Sequence, residues 1–241
     1  MIGIVAAMQE EADAFARWMQ DTSSFTKAGV DFVTGKIGGN DVTLVASGLG
    51  KVNAALCTQI LIDCYGADPV ISFGVAGGIG EGLAFGELIV STDAAAYGFE
   101  PDKGGLKPVD VPFMNGTVYS ADQKLVADAV QAAEKLKLKY RKGRVLTDDR
   151  VLADSKLKAA LRQHFKAECV EMEGAAVAQT AQANGVSWLI LRGISDLADE
   201  NMQGTYDNHY GKAIEAAAAT AVAVCLVQDA QTGCAKNRYI I

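Results

Sequence analysis

Apolar residues fall along the chain in short runs separated by longer stretches of helical spacing. Ile2 to Ala7 is an unbroken apolar run of strand length, and Gln9 to Met19 follows as a helix whose first turn carries Glu10, Glu11 and Asp13. Phe32 to Ile37 and Val42 to Ala46 flank Gly38-Gly39-Asn40-Asp41, the form of a hairpin. A helix is predicted from Lys51 to Cys64, then strands at Pro69 to Phe73 and Glu87 to Ser91. Further helices are predicted at Asp122 to Leu138, Ser155 to Phe165 and Glu173 to Asn184, with strands at Gly143 to Leu146 and Trp188 to Leu191. An Ala-rich helix from Asp207 to Val227 closes the series. Alternating strands and helices predict a three-layer α/β domain on a mixed, mostly parallel sheet with one antiparallel hairpin.

Composition narrows the class. The 241 residues are half hydrophobic and 21% charged, as in one globular domain spanning 1–241, and no repeat or linker interrupts them. A net charge of −7, with one basic run from Lys135 to Lys142 that reads as a solvated helix end, argues against nucleic acid as a partner. Five cysteines without a Cys-x-x-Cys spacing suggest a reducing compartment. The apolar stretch from Ile214 to Val227 is interrupted by Glu215 and is too short for a bilayer, so the expected setting is the cytoplasm, away from membranes. Tyr97 to Val118, rich in proline and poor in periodicity, reads as a long functional loop.

Candidate chemistry clusters in four places. Ser47-Gly48-Leu49-Gly50-Lys51-Val52-Asn53 and Gly74-Val75-Ala76-Gly77-Gly78 read as glycine-rich turns between strand and helix. The first lacks the third glycine of a dinucleotide fingerprint, where Asn53 stands, and it also lacks the first glycine and the Ser/Thr of a P-loop. Val170-Glu171-Met172-Glu173 puts two carboxylates around a methionine, either facing one side of a strand or serving as charges at a helix N-terminus. Arg192-Gly193-Ile194-Ser195-Asp196 brings ionisable groups to the carboxyl end of a buried strand, where open α/β folds bind ligands; a structural Arg–Asp pair is the alternative. His164 and His209 are the only histidines, no spacing suits a metal, and Ser195 lacks the setting of a hydrolase nucleophile.

These blocks, with Ala7-Met8-Gln9-Glu10-Glu11, resemble the 5′-methylthioadenosine/S-adenosylhomocysteine nucleosidases of the purine nucleoside phosphorylase-like superfamily. The resemblance runs in order from the first residue to about Val227. It implies a three-layer α/β/α fold around a partly closed sheet, a cytoplasmic homodimer without cofactor or metal, and release of adenine from a 5′-modified adenosine in purine and methionine salvage. By the same resemblance Glu11 is the general base, Asp196 the general acid, and Arg192 a positioning group near the water. Glu173 accepts a ribose hydroxyl with Met172 against the sugar, and Leu152 and Val151 meet the adenine. Gly77, Val170, Glu171 and Ser195 complete the nucleoside site. Met8, Leu49 and Tyr206 offer apolar surface to a 5′ substituent.

Two departures are visible: Val75 stands where many of those enzymes have Ser or Thr near the water, and residues 97–118 do not reproduce the loop that covers the 5′ group. The only arginine before position 141 is Arg17, so a phosphate clamp is missing and water is the expected nucleophile. The rivals are a phosphorylase, a futalosine hydrolase releasing hypoxanthine, a purine-binding protein without turnover, and a nicotinamide-dependent oxidoreductase.

Overall fold

The computed structural model describes residues 1–97 and 118–235, with side chains through Val227, so the long loop expected over 97–118 lies almost wholly outside the described residues. The elements run β1 (Ile2–Ala6), α1 (Gln9–Ala16), β2 (Gln20–Lys27), β3 (Val30–Ile37), β4 (Asn40–Ala46), α2 (Lys51–Tyr65), β5 (Val70–Gly78) and β6 (Leu88–Ala96). They continue β7 (Val118–Ser120), α3 (Gln123–Lys135), β8 (Tyr140–Thr147), α4 (Ser155–Phe165), β9 (Ala167–Glu171), α5 (Gly174–Ala183), β10 (Trp188–Asp196) and α6 (Met202–Ala235).

The strands form one sheet in the order β10-β6-β8-β9-β5-β1-β4-β3-β2, with β7 on β6 and β10 also paired to β5. That last pairing closes β10, β6, β8, β9 and β5 into a ring and leaves β1, β4, β3 and β2 as an open wing, which is the mixed, partly closed sheet expected. Antiparallel pairing goes beyond the one predicted hairpin: β2–β3, β10–β6, β5–β9 and β6–β7 are antiparallel as well. Closing a ring with so few strands requires such reversals.

Helices cover both faces. Ala54, Cys57 and Leu61 of α2 and Ala176 and Val177 of α5 pack with Val5, Phe32 and Val70 on one side. On the other side Phe15 of α1, Ala129 of α3 and Ala217, Ala218 and Ala221 of α6 join the larger core. Gly193 sets the depth of that second layer, because a β-carbon there would overlap the backbone of Ala213, so α6 lies directly on β10.

Several boundaries differ from the predicted ones. The run Gly74–Gly78 is the end of β5, where glycine admits a neighbouring side chain, and makes no turn into a helix. β10 runs on to Asp196, past the predicted Leu191. The Glu171-Met172-Glu173 alternation does not persist, since β9 stops at Glu171 and Glu173 is already the N-cap of α5. The basic run from Lys135 is the end of α3, a turn and the first residues of β8. α6 begins at Met202, earlier than the predicted Asp207, and is apolar and long enough from Met202 to Val227 to span a bilayer; the expected shortness of this stretch is therefore corrected. Over half of that window is buried against β10, β5, α1 and α3, as befits a core helix.

Candidate active site

The carboxyl ends of β1, β4, β5, β8, β9 and β10 converge on one cavity of about 270 Å³. Every residue expected to touch a nucleoside, from Met8 and Leu49 through Val75, Gly77, Val151, Leu152 and Val170 to Tyr206, lies in its wall, and Glu11, Asp196 and Ser195 are there too. Arg192 does not line it: this side chain is buried and bonded to Glu171. The alternative reading, a structural pair between Arg192 and Asp196, does not hold, because Arg192 turns towards Glu171 of β9 instead. Ala7, Ala76, Arg150, Met202 and Gln203 were not anticipated as wall residues. Met202 and Gln203 share a helical face with Tyr206, a periodicity visible only if the last helix starts before Asp207.

Glu11 sits in the first turn of α1 and curls back over the helix start. Its Oε2 accepts the N–H groups of Ala7 at 2.8 Å and Met8 at 3.1 Å, while Oε1 accepts the N–H of Val75 at 3.0 Å. Burial raises its pKa above the usual glutamate value, and Arg192 together with the three amides holds that rise back.

Asp196 ends β10. Its Oδ1 accepts the N–H of Ala198 at 2.8 Å and its Oδ2 the hydroxyl of Ser195 at 2.8 Å. Burial raises its pKa against those two donors, so the neutral acid is favoured more than in water. Glu11 and Asp196 are thus both buried, but Glu11 has a guanidinium nearby and two more backbone donors.

The turn Ser47–Gly50 delivers the Gly50 N–H to Glu173 Oε1 at 2.8 Å, with Gly48 and Gly50 at φ of 84° and 95°. Burial and the neighbouring charge of Glu171 push Glu173 up to about 7. Burial also lifts the Tyr206 phenol to about 12, and its oxygen is 4.0 Å from the Met8 sulfur.

The profile of the phosphorylase superfamily matches residues 1–227. The chain belongs to the phosphorylase superfamily. A superfamily relative from Shewanella halifaxensis, a 5′-methylthioadenosine/S-adenosylhomocysteine nucleosidase, is 34% identical over 222 residues, covering 88% of this chain and 93% of its own. The Neisseria meningitidis nucleosidase of the same name, solved with methylthio-immucillin-A, superposes with a TM-score of 0.88 at 29% identity, covering 92% of this chain and 97% of its own. Futalosine hydrolase of Helicobacter pylori, another superfamily fold, has a TM-score of 0.87 at 27% identity over 95% of this chain and 97% of its own.

Proposed function

We propose that this protein hydrolyses the N-glycosidic bond of 5′-methylthioadenosine, S-adenosylhomocysteine or a related 5′-modified adenosine, releasing adenine. The observation that carries the reading is the meeting of Glu11, Glu173 and Asp196 around one cavity, each in a different electrostatic setting.

Cleaving a ribosyl–purine bond leaves positive charge on the sugar and sends the bonding electrons into the base. Asp196, whose pKa burial raises, gives its proton to N7 of the departing adenine. Glu11 takes a proton from water as its oxygen bonds to C1′, on the pattern of inverting glycoside hydrolysis. Glu173 accepts a ribose hydroxyl beside Met172, Leu152 and Val151 meet the base, and Met8, Leu49 and Tyr206 receive the 5′ substituent. Glu11, Glu171 and Glu173 outnumber the single Arg192, so the local field favours a ribosyl cation and repels phosphate. Arg150, which does line the wall, is paired with Asp148 at 2.7 Å.

In this reading the chain is one domain that works as a cytoplasmic homodimer in purine and methionine salvage. Leu49, Val52 and Leu56 support self-association, since they are exposed apolar residues at the start of α2, beside the cavity mouth. The free thiols of Cys57, Cys169 and Cys225, all buried, fit a reducing compartment.

Purified protein should release adenine from methylthioadenosine or adenosylhomocysteine at a rate unchanged by phosphate, leaving a free 5-substituted ribose. No adenine from either substrate refutes the reading. Ribose 1-phosphate would indicate a phosphorylase, hypoxanthine from futalosine the other hydrolase, and tight adenine binding without turnover a purine-binding protein.

A further inference from the structure

Glu171 lines the cavity, yet both of its oxygens are already occupied. Oε1 accepts the hydroxyl of Thr147, while Oε2 accepts Arg192 Nε at 3.2 Å, the N–H of Glu173 at 3.1 Å and the N–H of Gly174 at 2.7 Å. The Arg192 Nη2 also reaches Oε2 and extends to Ser72 Oγ at 3.1 Å. Thr147 in turn accepts the N–H of Ala175 at 2.8 Å, so one carboxylate and one hydroxyl satisfy three successive amides at the start of α5. A carboxylate so saturated has little left to offer a sugar.

We propose that Glu171 is a positioning residue: with Thr147 it fixes the start of α5, and hence Glu173, and it takes up part of the charge of Arg192, whose Nη2 lies 4.0 Å from Glu173 Oε2. This inference rests on the hydrolase reading above. The groups that face Glu173 are Glu171 from β9, Arg192 from β10, Glu11 from α1 and the Gly50 N–H ahead of α2. Lys51, the residue after Gly50, is engaged with Asp148 at 3.3 Å and Asp149 at 3.4 Å. Neutralising Glu171 would remove a like charge beside Glu173 and leave Arg192 uncompensated; both changes favour the ionised form of Glu173, and the second does so for Glu11.

The experiment is a pH series of kcat/KM for methylthioadenosine on the full chain. Glu171→Gln should move the acid limb to lower pH by about one unit, with a plateau roughly tenfold lower from lost positioning. Glu171→Asp, which keeps the charge, should lower the plateau and leave the limb where it is. A limb unmoved by Gln, or moved equally by Asp, overturns the proposal. If Glu171→Gln does not fold, Thr147→Val decides: kcat should fall roughly tenfold and Thr147→Ser should restore it, whereas an unchanged kcat overturns the assignment. A wild type that releases no adenine removes the hydrolase reading itself, while wild-type turnover with an unmoved limb removes only the role of Glu171.

Discussion

The carboxylate of Glu11 lies against the α-carbon of Gly74, so closely that a β-carbon at position 74 would fall 2.9 Å from Glu11 Cδ and 3.1 Å from Oε2. The Val75 N–H, one residue on, is one of the three donors that aim this group. With Glu11 in its proposed role as general base, Gly74→Ala should therefore tilt its carboxylate away from the attacking water. A loss of about 10²-fold in kcat is expected, the scale of a misplacement near 1 Å, and steady-state assays beside a thermal melt would separate it from unfolding.

Asp196→Asn keeps the shape of the site and takes away its transferable proton. Adenine release should fall roughly 10²–10⁴-fold. Turnover close to the wild-type rate in an initial-rate assay would contradict the assignment of Asp196 as the acid.

Glu173, pushed up to about 7, must be ionised to accept a ribose hydroxyl. The value of kcat/KM should thus decline as pH falls through about 7, and a profile in Glu173→Gln identical to the wild type would contradict this role of Glu173.

Stability should run the opposite way. A carboxyl whose folded pKa is raised takes up protons on folding between its ordinary value and about 7, so its ionisation costs stability as pH rises through that window. Glu173→Gln removes the cost. Melting curves should find the variant more stable than the wild type above about pH 7, with the gap closing towards pH 5; a gap independent of pH would speak against a buried, titrating Glu173.

Val52 is the most exposed of the large apolar residues, at 79%, and shares the start of α2 with Leu49 and Leu56. Placing a charge there with Val52→Asp should shift sedimentation from dimer towards monomer, because an unpaired carboxylate cannot be buried cheaply in an apolar contact.

Sequence pattern recovers those parts of the fold in which burial shapes the choice of residues. Ile2–Ala6 and Trp188–Leu191 are buried apolar runs and read as strands, whereas the equally buried remainder of β10, with Arg192, Ser195 and Asp196, carries no such signal. β2 is the opposite case: Gln20–Lys27 is exposed throughout and is held only as an edge strand on β3, so its polar sequence carries no strand signal. The glycines at 74–78 mislead for a different reason, since the missing side chain at Gly74 makes room for Glu11 rather than for a bend. In the site, Glu11, Met172, Glu173 and Asp196 are legible through the family resemblance of the blocks that carry them, and all four line the cavity. Gln203 and Met202 are not, because a helix start inside a polar stretch leaves no apolar mark.

The close seating at Gly193 joins two ends of the cavity mechanically. β10 carries Asp196, and α6, resting on that strand at Ala213, carries Met202, Gln203 and Tyr206. The reach from proton donor to phenol is therefore fixed by one helix–strand spacing, like the jaw opening of a calliper. If Asp196 and Tyr206 meet the two ends of a nucleoside as proposed, admitting a longer one would mean re-seating α6 on β10.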